Sequence, residues 1–240
     1  MTLAEFFGCS LLAFGPPLSM FIITVVHDPI RVIILIAASF FWLLSLLLSS
    51  ILWFAVVPLR QHLAFGVVFS VIIQEVFRYI VYRILRKTEK GLQEVAENSR
   101  VTENKHILAY VSGLGFGITS GLFALVNVLA DSAGPATVGI KGIGSENFFI
   151  TSAAQTLCMI ILHTCWNIIF FNALDTSRYA HLSSVLLSHM FVSCLTLLNK
   201  QQMYVATLLP NYIVTILMII LAYKVAGGTW TSFKKFISCK

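Results

Sequence analysis

The sequence predicts an all-α fold, a polytopic membrane protein of seven transmembrane helices with its N-terminus lumenal and its C-terminus cytosolic. Three observations predict it. Of the 240 residues, 58% are hydrophobic and only 11% are charged, whereas a soluble globular domain carries about 25% charged residues. The apolar stretches are apolar on every side rather than on one stripe, and most reach the roughly 20 residues that cross a bilayer. The lysines and arginines gather at alternate connections between those stretches.

The first helix is expected at about 3–26. It holds no Lys or Arg, and Glu5 is the only charge ahead of its core, so it lacks the basic start of a signal peptide and reads as a span. His27-Asp28-Pro29-Ile30-Arg31 is a tight interfacial turn, because Pro29 pushes Asp28 out of helical angles. The second helix follows at about 32–57. Pro58 opens a short loop with Arg60 and His62, and the third helix runs at about 63–85. Residues 86–106 form the one distinctly polar stretch, whose first half can extend the third helix into water. The fourth helix is expected at about 107–130 and the fifth at about 148–172, separated by a glycine-rich loop with Pro135. The sixth and seventh occupy about 182–199 and 204–226, and a basic tail covers 227–240. Seven helices and short loops use nearly the whole chain, so residues 1–240 read as one domain.

The charges set the orientation. With the N-terminus lumenal, twelve of the sixteen Lys and Arg fall at cytosolic positions and three, Arg60, Lys141 and Lys200, on the lumenal side; Arg78 lies within the third helix. This is the positive-inside pattern. The net charge of +6 therefore reports topology, and nucleic-acid binding is not expected. Cys9, Cys158, Cys165 and Cys194 fall inside apolar runs and imply no disulfide framework. Cys239, beside basic residues near the membrane, is a candidate for acylation, with an ordinary free thiol as the simpler reading. No Asn lies in a glycosylation sequon.

Few residues at membrane depth could carry chemistry. Gly113, Gly117 and Gly121 recur every fourth position of the fourth helix, and residues four apart share a face. They make a shallow groove that a second helix can approach closely, either within this chain or from a partner. Gln74, Glu75 and Arg78 lie in the third helix. A buried carboxylate could serve catalysis or transport, but Glu75 and Arg78 are three apart, and a structural ion pair with Arg78 snorkelling to the basic end is the expectation. His163 and His189 sit inside the fifth and sixth helices. Zinc needs three or four ligands, and no further His or carboxylate is expected beside them, so polar helix–helix contacts are expected and metal is not. Aspartyl proteolysis needs two aspartates at depth, yet Asp28, Asp131 and Asp175 all fall at helix ends. A serine mechanism could be drawn only from Ser120 with His189.

Motifs spread along the chain carry a resemblance. They are Phe6-Phe7-Gly8-Cys9, Ala13-Phe14-Gly15-Pro16, Asp28-Pro29, Arg31-Val32-Ile33-Ile34-Leu35, Phe40-Phe41-Trp42-Leu43, Gln74-Glu75-Val76-Phe77-Arg78 and Tyr110-Val111-Ser112-Gly113-Leu114. Gly134-Pro135, Val138-Gly139-Ile140, Leu162-His163-Thr164, Ser188-His189, Leu208-Leu209-Pro210 and Ala226-Gly227-Gly228 continue it. In this order the chain resembles the anterior-pharynx-defective family, the seven-helix subunit of gamma-secretase. The resemblance implies a non-catalytic scaffold, without cofactor, that assembles with nicastrin, presenilin and the presenilin-enhancer subunit. It implies support for cleavage of Notch-like and amyloid-precursor-like proteins in the endoplasmic reticulum, Golgi and plasma membrane. It matches Gly113, Gly117 and Gly121 to the family's triple-glycine motif, and His163 and His189 to its two intramembrane histidines. The chain departs at Pro17 and at Lys141-Gly142-Ile143-Gly144, and the latter stretch points to an invertebrate member. Two rival classes are a seven-helix signalling receptor and a metal-dependent membrane hydrolase.

Overall fold

A computed structural model of the chain describes residues 3–59, 62–95, 105–133 and 146–238. Its α-helices are α1 (Leu3–Thr24), α2 (Pro29–Ala55), α3 (Leu63–Val95), α4 (Lys105–Ala133), α5 (Glu146–Asp175), α6 (Tyr179–Leu195), α7 (Tyr204–Val225) and α8 (Trp230–Ile237). Seven of them, α1 to α7, are long and apolar enough to cross a membrane, and the chain is a multi-pass integral membrane protein. The side on which each terminus lies is an expectation from charge. The loop around Pro135, with Lys141–Gly144, and also Arg60, Arg100 and Cys239 lie outside the described residues.

Burial separates the helices into two classes. In the most apolar windows of α4 and α5, 67% of residues are buried, against 17–22% in the other five spans. These two helices pack along each other, α2 and α1 cover α4, and α7, α1 and α6 surround α5. The outer helices turn Ile23, Phe54, Leu187 and Val205 outward. In water such faces would be a liability, but in lipid they are solvated by the acyl chains.

The ends follow local chemistry. Asp28 caps α2 by accepting from the Ile30 amide at 3.0 Å, with Pro29 in the first turn where no donor is needed. Arg31 closes the turn by donating to the Thr24 carbonyl at 2.6 Å. α3 continues to Val95, through the first half of the polar stretch. α6 stops at Leu195 and gives way to a 3-10 segment, Thr196–Gln201. Gln202 then takes a left-handed φ of 58°, so the chain reverses tightly into α7. The tail, read from sequence only as basic, contains an eighth helix, α8.

Candidate functional site

The glycine seam sets where α5 lies. All three glycines of the tandem motif are buried and face α5. A Cβ on Gly113 would meet Asn167 Cβ at 2.8 Å and Thr164 Cα at 2.9 Å. On Gly117 it would meet the Ile160 carbonyl oxygen at 2.6 Å, and on Gly121 the flexible tip of Ile160 at 2.7 Å. Of the two readings left open by the spacing, the structure therefore fills this groove from within the chain. Gly115, which sequence reasoning passed over, works on the opposite side of α4, where a Cβ would lie 2.5 Å from the Leu35 carbonyl oxygen of α2. Two steps along a helix is a turn of about 200°, so four glycines let α4 sit close to two neighbours at once.

Midway along their spans, α5 and α6 also meet side chains of α3. Glu75, Arg78, His163 and His189 meet there. Arg78 Nη2 lies 3.2 Å from Glu75 Oε1 and donates to His163 Nδ1 at 3.1 Å. A guanidinium has only donors, so Nδ1 of His163 is the acceptor. His189 Nδ1 lies 2.6 Å from Glu75 Oε1 and donates to the carboxylate. The two imidazoles meet edge to face at 5.2 Å, and His189 stacks on Trp166 at 4.3 Å. The Arg78 guanidinium also lies 5.6 Å from the Trp166 ring centre and 5.8 Å from that of Phe116.

Two expectations are corrected here. Arg78 does not snorkel: its side chain is 0% exposed, because its charge is met at depth by Glu75 and His163 instead of at the surface. Nor are the histidines without a carboxylate, since Glu75 comes from α3 to bond His189. The Glu75–Arg78 spacing was legible, but sequence distance hid the histidine contacts, whose partners are separated by 85 and 114 positions.

Further polar bonds frame the cluster. Trp166 Nε1 donates to Ser188 Oγ at 2.9 Å, joining α5 to α6, and Asn167 Nδ2 donates to Ser112 Oγ at 3.1 Å, joining α5 to α4. Gln74 accepts from Trp42 Nε1 at 3.4 Å and donates to Ser70 Oγ at 3.1 Å. A cleft of about 310 Å³, lined by Trp42, Gln74, Phe123, Met159, His163 and His189 among others, opens beside the cluster. At the end of the bundle that carries most of the arginines, Asp175 of α5 accepts from Tyr82 at 2.9 Å and pairs with Arg86 of α3. Sequence reasoning gave no role to Trp166 or Asn167, quoted Ser112 only within Tyr110–Leu114, and named Asp175 only as a helix-end aspartate, so it missed these bonds and the clamp.

The arrangement binds helices together. Arg78 lies between His163 and Glu75, and a fixed cation there opposes a metal ion at the same ligands; among the described residues no three His, Cys, Asp or Glu converge as a ligand set. Ser120 donates to the Gly117 carbonyl of its own helix at 2.8 Å. Asp28 is spent on its cap and on Arg31, 3.4 Å away.

A family model described as "Aph-1 protein" matches residues 4–229. The chain is 66% identical to "Gamma-secretase subunit Aph-1" of Drosophila melanogaster over 240 residues, all of both chains. It is 47% identical to "Gamma-secretase subunit Aph-1b" of Danio rerio, over all of this chain and 95% of that one. It is 43% identical to "Gamma-secretase subunit APH-1B" of Homo sapiens with the same coverage. Matches of this extent in an insect, a fish and a mammal mean that the shared pattern is not restricted to invertebrates.

Proposed function

This chain belongs to the Aph-1 family and is a non-catalytic scaffold subunit of the gamma-secretase complex, serving its assembly and stabilisation, and from that premise we propose that its buried glycine and polar residues hold a shape on which the other subunits dock. Those subunits are presenilin, nicastrin and the presenilin-enhancer subunit. The assembled complex cleaves Notch-like and amyloid-precursor-like type I membrane proteins, with presenilin supplying the aspartates. The chain sits with its N-terminus lumenal and its C-terminus cytosolic, in the endoplasmic reticulum, the Golgi and the plasma membrane.

One observation carries this reading: the ionisable groups at depth are engaged with one another across three helices. Glu75 and Arg78 of α3, His163 of α5 and His189 of α6 are joined by bonds of 2.6–3.2 Å. A general acid or base must reach a substrate proton; Glu75 and Arg78 reach each other and the two imidazoles, which ties α3 to α5 and α6, and of the four only His163 and His189 border the neighbouring cleft. Unpaired ionisable groups at this depth are costly, so parting α3 from α5 and α6 would strand charges that now meet, and the bonds favour this arrangement of helices even though Glu75 Oε2 and Arg78 Nε and Nη1 are left without a hydrogen-bond partner. A precise arrangement is what a docking subunit has to offer.

The experiment is affinity capture of the tagged chain from membranes in mild detergent, with bound proteins identified by mass spectrometry. Presenilin, nicastrin and the presenilin-enhancer subunit are expected together in the wild-type capture. The His163→Ala/His189→Ala double variant is expected to lower presenilin recovery and substrate cleavage. Full recovery and normal cleavage by that variant would retire the assembly role of the polar knot.

A further inference from the structure

We infer that α8 is a surface-lying helix that binds the anionic phospholipid headgroups of the leaflet where α7 leaves the membrane.

α7 ends in a defined stop. The Gly228 amide bonds the Tyr223 carbonyl at 2.9 Å and the Gly227 amide bonds that of Lys224 at 3.1 Å. Gly227 has a φ of +89°. Together these form the Schellman stop, which a left-handed glycine makes possible. Gly228 then lies so close against the Tyr223 ring that a side chain there would collide with it. The Tyr223 hydroxyl donates to the Thr229 carbonyl at 3.1 Å, and Thr229 Oγ1 accepts from the Ser232 amide at 3.2 Å, capping the new helix. α8 is therefore not a frayed end of α7. It starts afresh, tied by a hydrogen bond to the last turn of a membrane span.

Its pattern is that of an interfacial helix. At 100° per residue, positions 230, 233, 236 and 237 share one face, and they are Trp, Phe, Phe and Ile. Positions 231, 235 and 238 share the other, and they are Thr, Lys and Ser. Lys234 flanks the apolar face, with its Nζ 5.7 Å from the Trp230 ring. Trp230 is 68% exposed. A basic helix with an aromatic apolar face partitions to the headgroup boundary, and tryptophan prefers that depth.

The charge around it selects the lipid. Alternating spans bring the ends of α3, α5 and α7 and the starts of α4 and α6 to one side of the bundle, where the Arg86–Asp175 pair joins the ends of α3 and α5. Arg83, Lys87, Arg178 and Lys224 therefore share a side with Lys234 and Lys235, while Arg86 there is taken up by Asp175 and Glu89. Anionic lipid is attracted by such juxtamembrane clusters within a Debye length. The occupant of the α8 face is thus the membrane surface itself, charged against its lysines and apolar against its aromatic stripe.

The test uses the full chain in nanodiscs of phosphatidylcholine alone and of phosphatidylcholine with roughly one third phosphatidylserine. Hydrogen exchange at residues 231–237 is expected to be about tenfold slower in the anionic discs, and the Lys234→Glu/Lys235→Glu variant is expected to remove that difference. Equal exchange in the two lipids would overturn the inference. So would protection that persists unchanged in lipid-free detergent, which would mean that α8 packs on protein. A second measurement does not depend on charge reversal. In Cys239→Ser chains, nitroxides at Phe233→Cys and Thr231→Cys should differ in oxygen collision, with the label at 233 more exposed to dissolved oxygen. Equal collision rates would show no membrane-facing side and would also overturn it.

Discussion

At the scale of single residues, cost should depend on what a new atom would meet. At Gly117 a methyl group meets backbone, the Ile160 carbonyl at 2.6 Å, while at Gly121 it meets a side-chain tip that can rotate away. Gly117→Ala is therefore expected to destabilise the chain by about 1–3 kcal/mol, and Gly121→Ala by less. Gly8→Ala, with nothing within 4 Å, should leave stability unchanged. The buried thiols of Cys158 and Cys165 supply the readout, since a thiol-reactive dye reports unfolding as they become exposed on heating. Equal losses at Gly117 and Gly8 would refute the packing argument. The ion pair makes a second prediction. Removing one partner of a buried pair typically costs about 3–5 kcal/mol, because the other charge is left uncompensated. Arg78→Met should then fall by that order, and Glu75→Gln/Arg78→Met should recover part of the loss. A double variant as unstable as the sum of the two single variants would mean that Glu75 and Arg78 do not act as a pair.

At the scale of the helices, the α4–α5 pair is the part that sequence spacing made legible. A glycine every fourth residue announces a close contact, but periodicity names only the face and not the neighbour, so internal and partner packing stayed open until α5 was seen against it. Span positions were readable because bilayer thickness fixes helix length. α8 was not, because its eight residues hide an amphipathic face inside a tail whose overall impression is charge. The polar knot was half legible. The Glu75–Arg78 spacing of three implies a pair on one helix, while the convergence of α5 and α6 on it depends on topology. The clamp between α3 and α5 permits a contrast at this scale. Asp175 and Arg86 are partly exposed, with 25% and 15% of their side chains accessible, so Asp175→Asn should cost only about 0.2–1 kcal/mol and lose its effect at high salt. A loss as large as that of Arg78→Met would contradict the view that depth decides the worth of these pairs.

At the scale of the whole molecule, two buried helices wrapped by five lipid-facing ones make a closely packed centre with broad apolar flanks. Within a membrane those flanks gain nothing from burial as such, so partners must be held by shape and by polar contact. This is why small changes at the centre should be felt at the outside: moving α5 away from α4 shifts the histidines, the Trp166–Ser188 bond and the helices that present the outer faces. The central claim is that the buried glycine and polar residues serve to position partner subunits. The most direct measurement is the yield of presenilin captured with Gly117→Leu chains, set against wild type at equal amounts of chain inserted in the membrane. The account predicts normal insertion with presenilin largely lost; undiminished presenilin at equal insertion would contradict it.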